Sequence, residues 1–201
     1  MNRELYLALP VGSHLYGTTH AESDKDWLQL LIPSHQDMIS NKRVTIPQQI
    51  SNGLDIRTQF LGDFVTSLGH NPENTIIALH YHEHFGKLFP YFVNKTTAFN
   101  IMTVAEKMWK NAKTPKMRAH AFRHVAAAQS LVDYGYVRYP LEDMDLKLYK
   151  YLLNDGTLEE VPWKTHVALV ANSDLPDTPT NTDALVEWVW NEYRRYDLSY
   201  E

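Results

Sequence analysis

The chain has 201 residues, 24 acidic against 19 basic side chains, a formal net charge of −5 and no cysteine. That balance excludes a surface that attracts nucleic acid as a whole, though a local basic groove stays open. The missing cysteines exclude disulfides and thiolate zinc sites and fit a reducing cytoplasm. No apolar run is long enough to cross a bilayer, and Leu5 to Val11 lacks the length and cleavage site of a signal peptide. At this size the chain can bury a sizeable core as one domain or two small ones.

Taken in order, Leu5 to Val11 reads as a buried strand with Pro10 at its end, where a missing N–H is tolerated. Gly12 permits a tight turn, and Ser13 is placed to cap a short helix over His14 to Gly17. Thr18 to Ser23 is a polar loop, Asp24 to Ile32 a second strand closed by Pro33, and Ser34 to Asn41 a short helix or turn. The Asn52-Gly53 turn signal introduces a third strand over Leu54 to Gln59. From there the period is helical. Phe60, Phe64, Val65 and Leu68 mark one apolar stripe, and Asn71-Pro72 opens a helix through Leu79. His80 to Pro90 reads as irregular. Further helices are predicted over Thr96 to Asn111, Pro115 to Tyr134 (Thr114 as cap, Gly135 as stop), Asp143 to Leu153 and Leu158 to Asn172. After a proline-bearing connector, a last helix from Asp183 carries Leu185, Trp188, Val189 and Tyr193 on one face. Strands first and helices after predict an α+β fold: a small sheet-bearing half over residues 1–93, then an all-helical half over 94–201.

Chemistry concentrates at three acids. On a strand Asp24 and Asp26 project from one side, directly after a Gly12-Ser13 turn whose N–H groups face an anion. Asp55 lies between Leu54 and Ile56, so its carboxylate faces away from the two apolar side chains, and Arg57 shares its face. Two carboxylates about 4 Å apart repel by about 4 kcal/mol at an effective dielectric near 20. Three together stay ionised only around a cation. Oxygen ligands alone favour Mg²⁺ or Mn²⁺. The plainer alternative is three exposed acids at strand ends.

Gly12-Ser13, Gly17, Ser23-Asp24-x-Asp26 and then Asp55 resemble the signature of the DNA polymerase β-type nucleotidyltransferase superfamily, more closely its branch of stand-alone predicted nucleotidyltransferases of bacteria and phages. The likeness runs on through Asn71-Pro72, the helix with Arg123 that ends Asp133-Tyr134-Gly135, and Leu175-Pro176. Thr75 and Ile76 stand where the branch usually has a glutamate, and Trp27 is bulkier than the residue expected there. The resemblance implies that Asp24, Asp26 and Asp55 hold two metal ions and that Gly12 and Ser13 grip the triphosphate of an NTP such as ATP. A hydroxyl then attacks the α-phosphate and pyrophosphate leaves. The acceptor stays open between an RNA 3′ end, a protein side chain and a small molecule, in the cytoplasm of a bacterium or of a phage-infected host.

Candidate phosphate clamps are Arg57 and, on the Pro115 helix, Lys116, Arg118 and Arg123, with Lys113 before it; a solvated basic face is the competing reading for each. Arg123 is favoured because the resemblance passes through it. Ser23 belongs to the nucleotide motif, and Tyr16 either stacks on a base or packs in the core. His80, His82 and His84 would share a face on a strand and could bind zinc; exposed loop rings are the simpler reading. The rival to the enzyme is a non-catalytic nucleotide- or host-protein-binding protein on the same scaffold.

Overall fold

The computed structural model describes residues 3–18, 24–39, 46–141, 143–154, 156, 161 and 163–198. Among them the chain is α+β. In order they form β1 (Glu4–Pro10), α1 (Gly12–Tyr16), β2 (Lys25–Ile32), α2 (His35–Ile39), β3 (Gln49–Ser51), β4 (Leu54–Phe60) and α3 (Leu61–Thr66). Helices follow: α4 (Pro72–His80), α5 (His82–Phe85), α6 (Phe89–Phe92), α7 (Lys95–Lys110), α8 (Pro115–Tyr134), α9 (Asp143–Leu153), α10 (Trp163–Ala171) and α11 (Thr182–Leu198). Two compact units result, Met1–Ser67 with Thr182–Glu201, and Leu68–Asn181. The sequence reading put one boundary at 93/94; the units divide at 67/68 and again at 181/182.

The first unit is built on a mixed sheet of order β1-β2-β4-β3. β1 runs antiparallel to β2, β2 parallel to β4, and β3 antiparallel to β4. Alternation in β2 buries Leu28, Leu30 and Ile32 on one face. Leu61, Phe64 and Val65 of α3 are fully buried, and α3 packs on β2 and β4. Complete burial of a side chain such as Phe64 contributes about 1.5–3 kcal/mol. α11 lies along α3 with Leu185 and Val189 buried, which is why the last helix joins the first unit. The Gly62 N–H donates to the Tyr193 hydroxyl at 3.0 Å. A Cβ at Gly62 would stand 2.7 Å from that oxygen, so the absence of a side chain sets how closely the two helices meet.

β3 was not foreseen. All three of its residues are exposed, so it carries no apolar alternation to read. Its turn was legible: Asn52 and Gly53 have φ of 47° and 75°, the pair of positive values that a two-residue type I′ hairpin needs.

The second unit is helical. Its longest helices, α7 and α8, pack on each other; α9 and α10 flank α8, and α10 and α4 meet α7. The caps stand where the sequence put them for α8: the Thr114 side chain accepts from Met117 N–H, Pro115 opens the helix, and Gly135 ends it at φ 74°. α9 covers the predicted residues. α8 is buried along Ala119, Ala121, Ala127, Ala128 and Leu131 because neighbours cover it on several sides; small residues let them approach. The stretch read as irregular from His80 to Pro90 is a chain of short turns, α5, a 3₁₀ turn over Gly86–Leu88 and the start of α6. Phe85 and Leu88 there are fully buried, as is Phe92 just after, while Tyr81 and Phe89 are partly buried. The predicted start of the Leu158 to Asn172 helix, except Val161, lies outside the described residues, as does most of the Thr18 to Ser23 loop. Among the described residues no helix is long and apolar enough to cross a membrane.

Gly62→Ala is expected to destabilise the protein by about 1–3 kcal/mol, the range for overpacking. Gly86→Ala is the control, since nothing lies within 4 Å of the added Cβ. Urea unfolding of both variants checks this; equal midpoints would show that Tyr193 gives way at no cost.

Candidate active site

β1 delivers the chain to Gly12, and the sheet hydrogen bonding continues one residue past it: Val11 N–H donates to the Asp26 carbonyl at 2.8 Å. Gly12 has φ +59°, in the left-handed region that favours glycine. A Cβ there would lie 1.8 Å from Asp26 Oδ2 and 2.6 Å from its Cγ. Gly12 is therefore required twice, for its backbone angle and for the space the Asp26 carboxylate occupies. α1 then runs from Gly12 itself, with Val11 as the preceding residue and no side-chain cap. This corrects the expectation for Ser13, which lies inside the helix instead of ahead of it. Its backbone N–H donates to the Asp26 carboxylate.

The parallel pairing of β2 with β4 sets Asp26 directly opposite Asp55. Partners across a ladder share a face, so both carboxylates project from the same side of the sheet. Asp24 precedes β2, beside the hairpin turn: a Cβ on Gly53 would lie 3.9 Å from its Oδ1. Backbone fixes this corner too, with Lys25 N–H bonded to the Gly53 carbonyl at 2.7 Å. The sheet thus brings the three acids to one end of two neighbouring strands.

The Asp26 carboxyl responds to that crowding. Its pKa is pushed above the ordinary carboxylate value, by burial first and then by the charge of Asp55; Asp24 adds to the rise, while the Ser13 N–H opposes it. Asp55 is held from the side, as the Gln48 amide nitrogen lies 2.6 and 2.7 Å from its two oxygens. Gln48 escaped the sequence reading. The signal was present: a two-residue turn at Asn52-Gly53 pairs Ile50 with Asp55, which puts Gln48 on the same flank two residues back.

The other expected residues are placed as follows. Arg57 is half-buried on β4, opposite Leu28 and on the face of Asp55. Tyr16 is buried, which is the packing alternative for that ring. Ser23 lies outside the described residues. Lys116 and Arg123 are on α8, in the helical unit. Arg123 is buried, with its guanidinium over the Tyr149 ring at 5.8 Å. Their charges act locally: His120 is pushed down to about 4, by burial first and then by Arg123, Lys116 and His124. His80, His82 and His84 do not alternate on a strand; they sit in helical turns, and burial lowers the His80 pKa.

Tested for a divalent ion, the donors fit in kind, being carboxylate oxygens converging from adjacent strands. Gln48 engages both oxygens of Asp55, and among the described residues no three His, Cys, Asp or Glu side chains form a group that could hold a metal ion.

Gly12→Ala is expected to cost more than 2 kcal/mol, since a left-handed non-glycine alone costs about 1–2 kcal/mol and the overlap with Asp26 adds to it. In an Asp26→Ala background the penalty should shrink, and a double-mutant unfolding cycle measures the difference. The pH dependence follows from the raised Asp26 pKa. The folded state holds that proton more tightly than the unfolded chain, so the stabilisation is full below the ordinary carboxyl range and is lost as pH rises through the raised value. Asp26→Asn should therefore melt higher than the parent near neutral pH, with the gap closing below about pH 4. Compared with protein families, curated proteins and solved structures, the chain matches none.

Proposed function

We propose that this protein is a Mg²⁺-dependent nucleotidyltransferase of the DNA polymerase β type, moving a nucleoside monophosphate from an NTP to a hydroxyl acceptor. The observation that carries the reading is the register of β2 with β4, which faces Asp26 with Asp55 beside Asp24 and under the Gly12 turn. Such an arrangement is costly without a counter-cation, and a site that binds Mg²⁺ or Mn²⁺ has a use for it.

In this reading Asp24 and Asp26 would hold two metal ions, and Asp55 would complete the site for the ion that acidifies the acceptor hydroxyl. The bound ion supplies Lewis acidity at the phosphate and at the acceptor hydroxyl. Gly12 lets the backbone of the turn come close to the phosphates, with the Ser13 hydroxyl beside it. Arg57 adds positive charge on the Asp55 face, where developing phosphate charge is balanced. Lys116 and Arg123 come into the nucleotide site only through the family resemblance. The acceptor is an RNA 3′ end, a protein hydroxyl or a small molecule, and the expected setting is the cytoplasm.

The second reading is a binding protein that uses the same scaffold without chemistry. It is favoured by the hydrogen bonds that already engage Asp55 and the Ser13 N–H.

Incubation with each α-labelled NTP, Mg²⁺ and a host lysate should give a labelled product and free pyrophosphate. The Asp24→Asn/Asp26→Asn variant should abolish both while melting higher than the parent in EDTA. Added Mg²⁺ should raise the parent's melting temperature and leave the variant's unchanged. Absence of transfer with all four nucleotides, in a protein that Mg²⁺ stabilises, would favour the binding reading.

A further inference from the structure

The first unit has a concave feature at the other end of its strands. Phe60 at the close of β4, Met38 of α2, Trp190 and Tyr193 of α11, and the carboxylates Asp37 and Asp63 line a cavity of about 350 Å³. That volume lies in the range of sites for small organic molecules, which are mostly apolar with a few placed polar groups. We propose that this cavity binds a small organic ammonium ion, with its carbons against the rings and its charge beside Asp63.

Charge selects the class. Among the described residues the lining includes two carboxylates and no lysine, arginine or histidine. Asp37 is already satisfied: Arg3 donates to it through Nε at 2.9 Å and Nη2 at 2.8 Å, and the Ser34 hydroxyl donates at 2.7 Å. Those bonds hold its carboxyl far below the usual range, Arg3 first among the causes. Asp63 differs. It is exposed on the first turn of α3 and makes no hydrogen bond or ion pair among the described residues. Its charge reaches Tyr193, whose pKa is pushed up to about 12, mainly by burial and further by Asp63. The Asp63 carboxylate repels an anionic ligand and attracts a cationic one.

The rings select the kind of cation. Trp190 is half-exposed and stands edge-on to Tyr193, with centroids 5.9 Å apart at 82°. Aromatic faces attract cations, tryptophan most strongly, and they do so without hydrogen-bonding directionality. The same chemistry is already in use nearby, where the Arg3 guanidinium lies over the Phe60 ring at 5.5 Å. A primary ammonium brings three N–H donors, and Asp63 is the one uncommitted acidic acceptor. A quaternary ammonium has no donor to satisfy and offers methyl groups to Met38 and the rings. The cavity's volume is that of one small molecule, so a free ligand is assigned and not a protein segment.

The test is titration of the whole chain, labelled with ¹⁵N, with choline. Its neutral carbon isostere, 3,3-dimethyl-1-butanol, is titrated in parallel. The indole N–H of Trp190 is followed, assigned by its loss in Trp190→Phe. Choline should shift it saturably, and the isostere should bind roughly tenfold more weakly or worse, the size of one cation–π and carboxylate contribution. Asp63→Asn, folded by circular dichroism, should lose choline by a similar factor and bind the isostere as the parent does. No saturable shift, equal affinity for the isostere, or unchanged choline affinity in Asp63→Asn would each overturn the proposal. Tighter binding of a trimethyl-lysine peptide than of choline would overturn the assignment to a small molecule. The outcome does not depend on the nucleotidyl-transfer assay, which reads the other end of the sheet.

Discussion

The contact on which the first unit turns is the seating of the Asp26 carboxylate in the space where residue 12 would carry a Cβ. It joins the end of β1 to the start of β2 through side chain and backbone together, because Val11 N–H also bonds the Asp26 carbonyl. Once Asp26 is fixed there, the parallel ladder fixes Asp55 opposite it. The acids therefore inherit the precision of a sheet. A loop would hold them less tightly.

Magnitudes explain why Asp26 still resists ionisation. One hydrogen bond to a charged group contributes about 1.5–3 kcal/mol. Burial of Asp26 and the charge of Asp55 each act on it more strongly than the Ser13 bond does, and Asp24 adds a smaller push in the same direction. The Ser13 N–H alone cannot offset that sum, and the raised pKa is the remainder. Gln48 plays the corresponding part for Asp55, with its amide on both oxygens. Each of these acids is thus restrained by a neutral donor, which steadies its position without cancelling its charge. A divalent cation would do what neither donor can.

Much of the fold is legible in the sequence alone, and the reasons are local. Capping pairs such as Asn71-Pro72 and Thr114-Pro115 with Gly135 gave helix limits because they are short-range chemistry. The face of Asp55 and Arg57 followed from a period of two. What escaped was either featureless or distant. β3 is three exposed residues, so Gln48 had no strand to belong to in the reading. The alternation of His80, His82 and His84 has the period of a strand, yet the residues lie in helical turns beside the buried Phe85, where packing overrides spacing. The return of α11 to α3 joins Tyr193 to Gly62 across more than half the chain, and nothing near either residue announces the other. Order along the chain suggested consecutive blocks; tertiary burial of Leu185 and Val189 made the first block discontinuous.

The same two strands serve chemically opposite ends. β2 begins next to acids and finishes at Ile32 and Pro33; β4 begins next to Asp55 and finishes at Phe60. At about 3.3 Å per residue, the five steps from Asp55 to Phe60 span roughly 16 Å. A ligand in the apolar cavity cannot touch the carboxylates, so any influence between them must pass through the strands or through α3. α3 is suited to that role. It carries Asp63 into the cavity, buries Leu61, Phe64 and Val65 against β2 and β4, and takes the Tyr193 hydroxyl at Gly62. Close packing of this kind transmits displacement instead of absorbing it. α3 is thus the one element that touches the cavity, the two acid-bearing strands and α11 among the described residues.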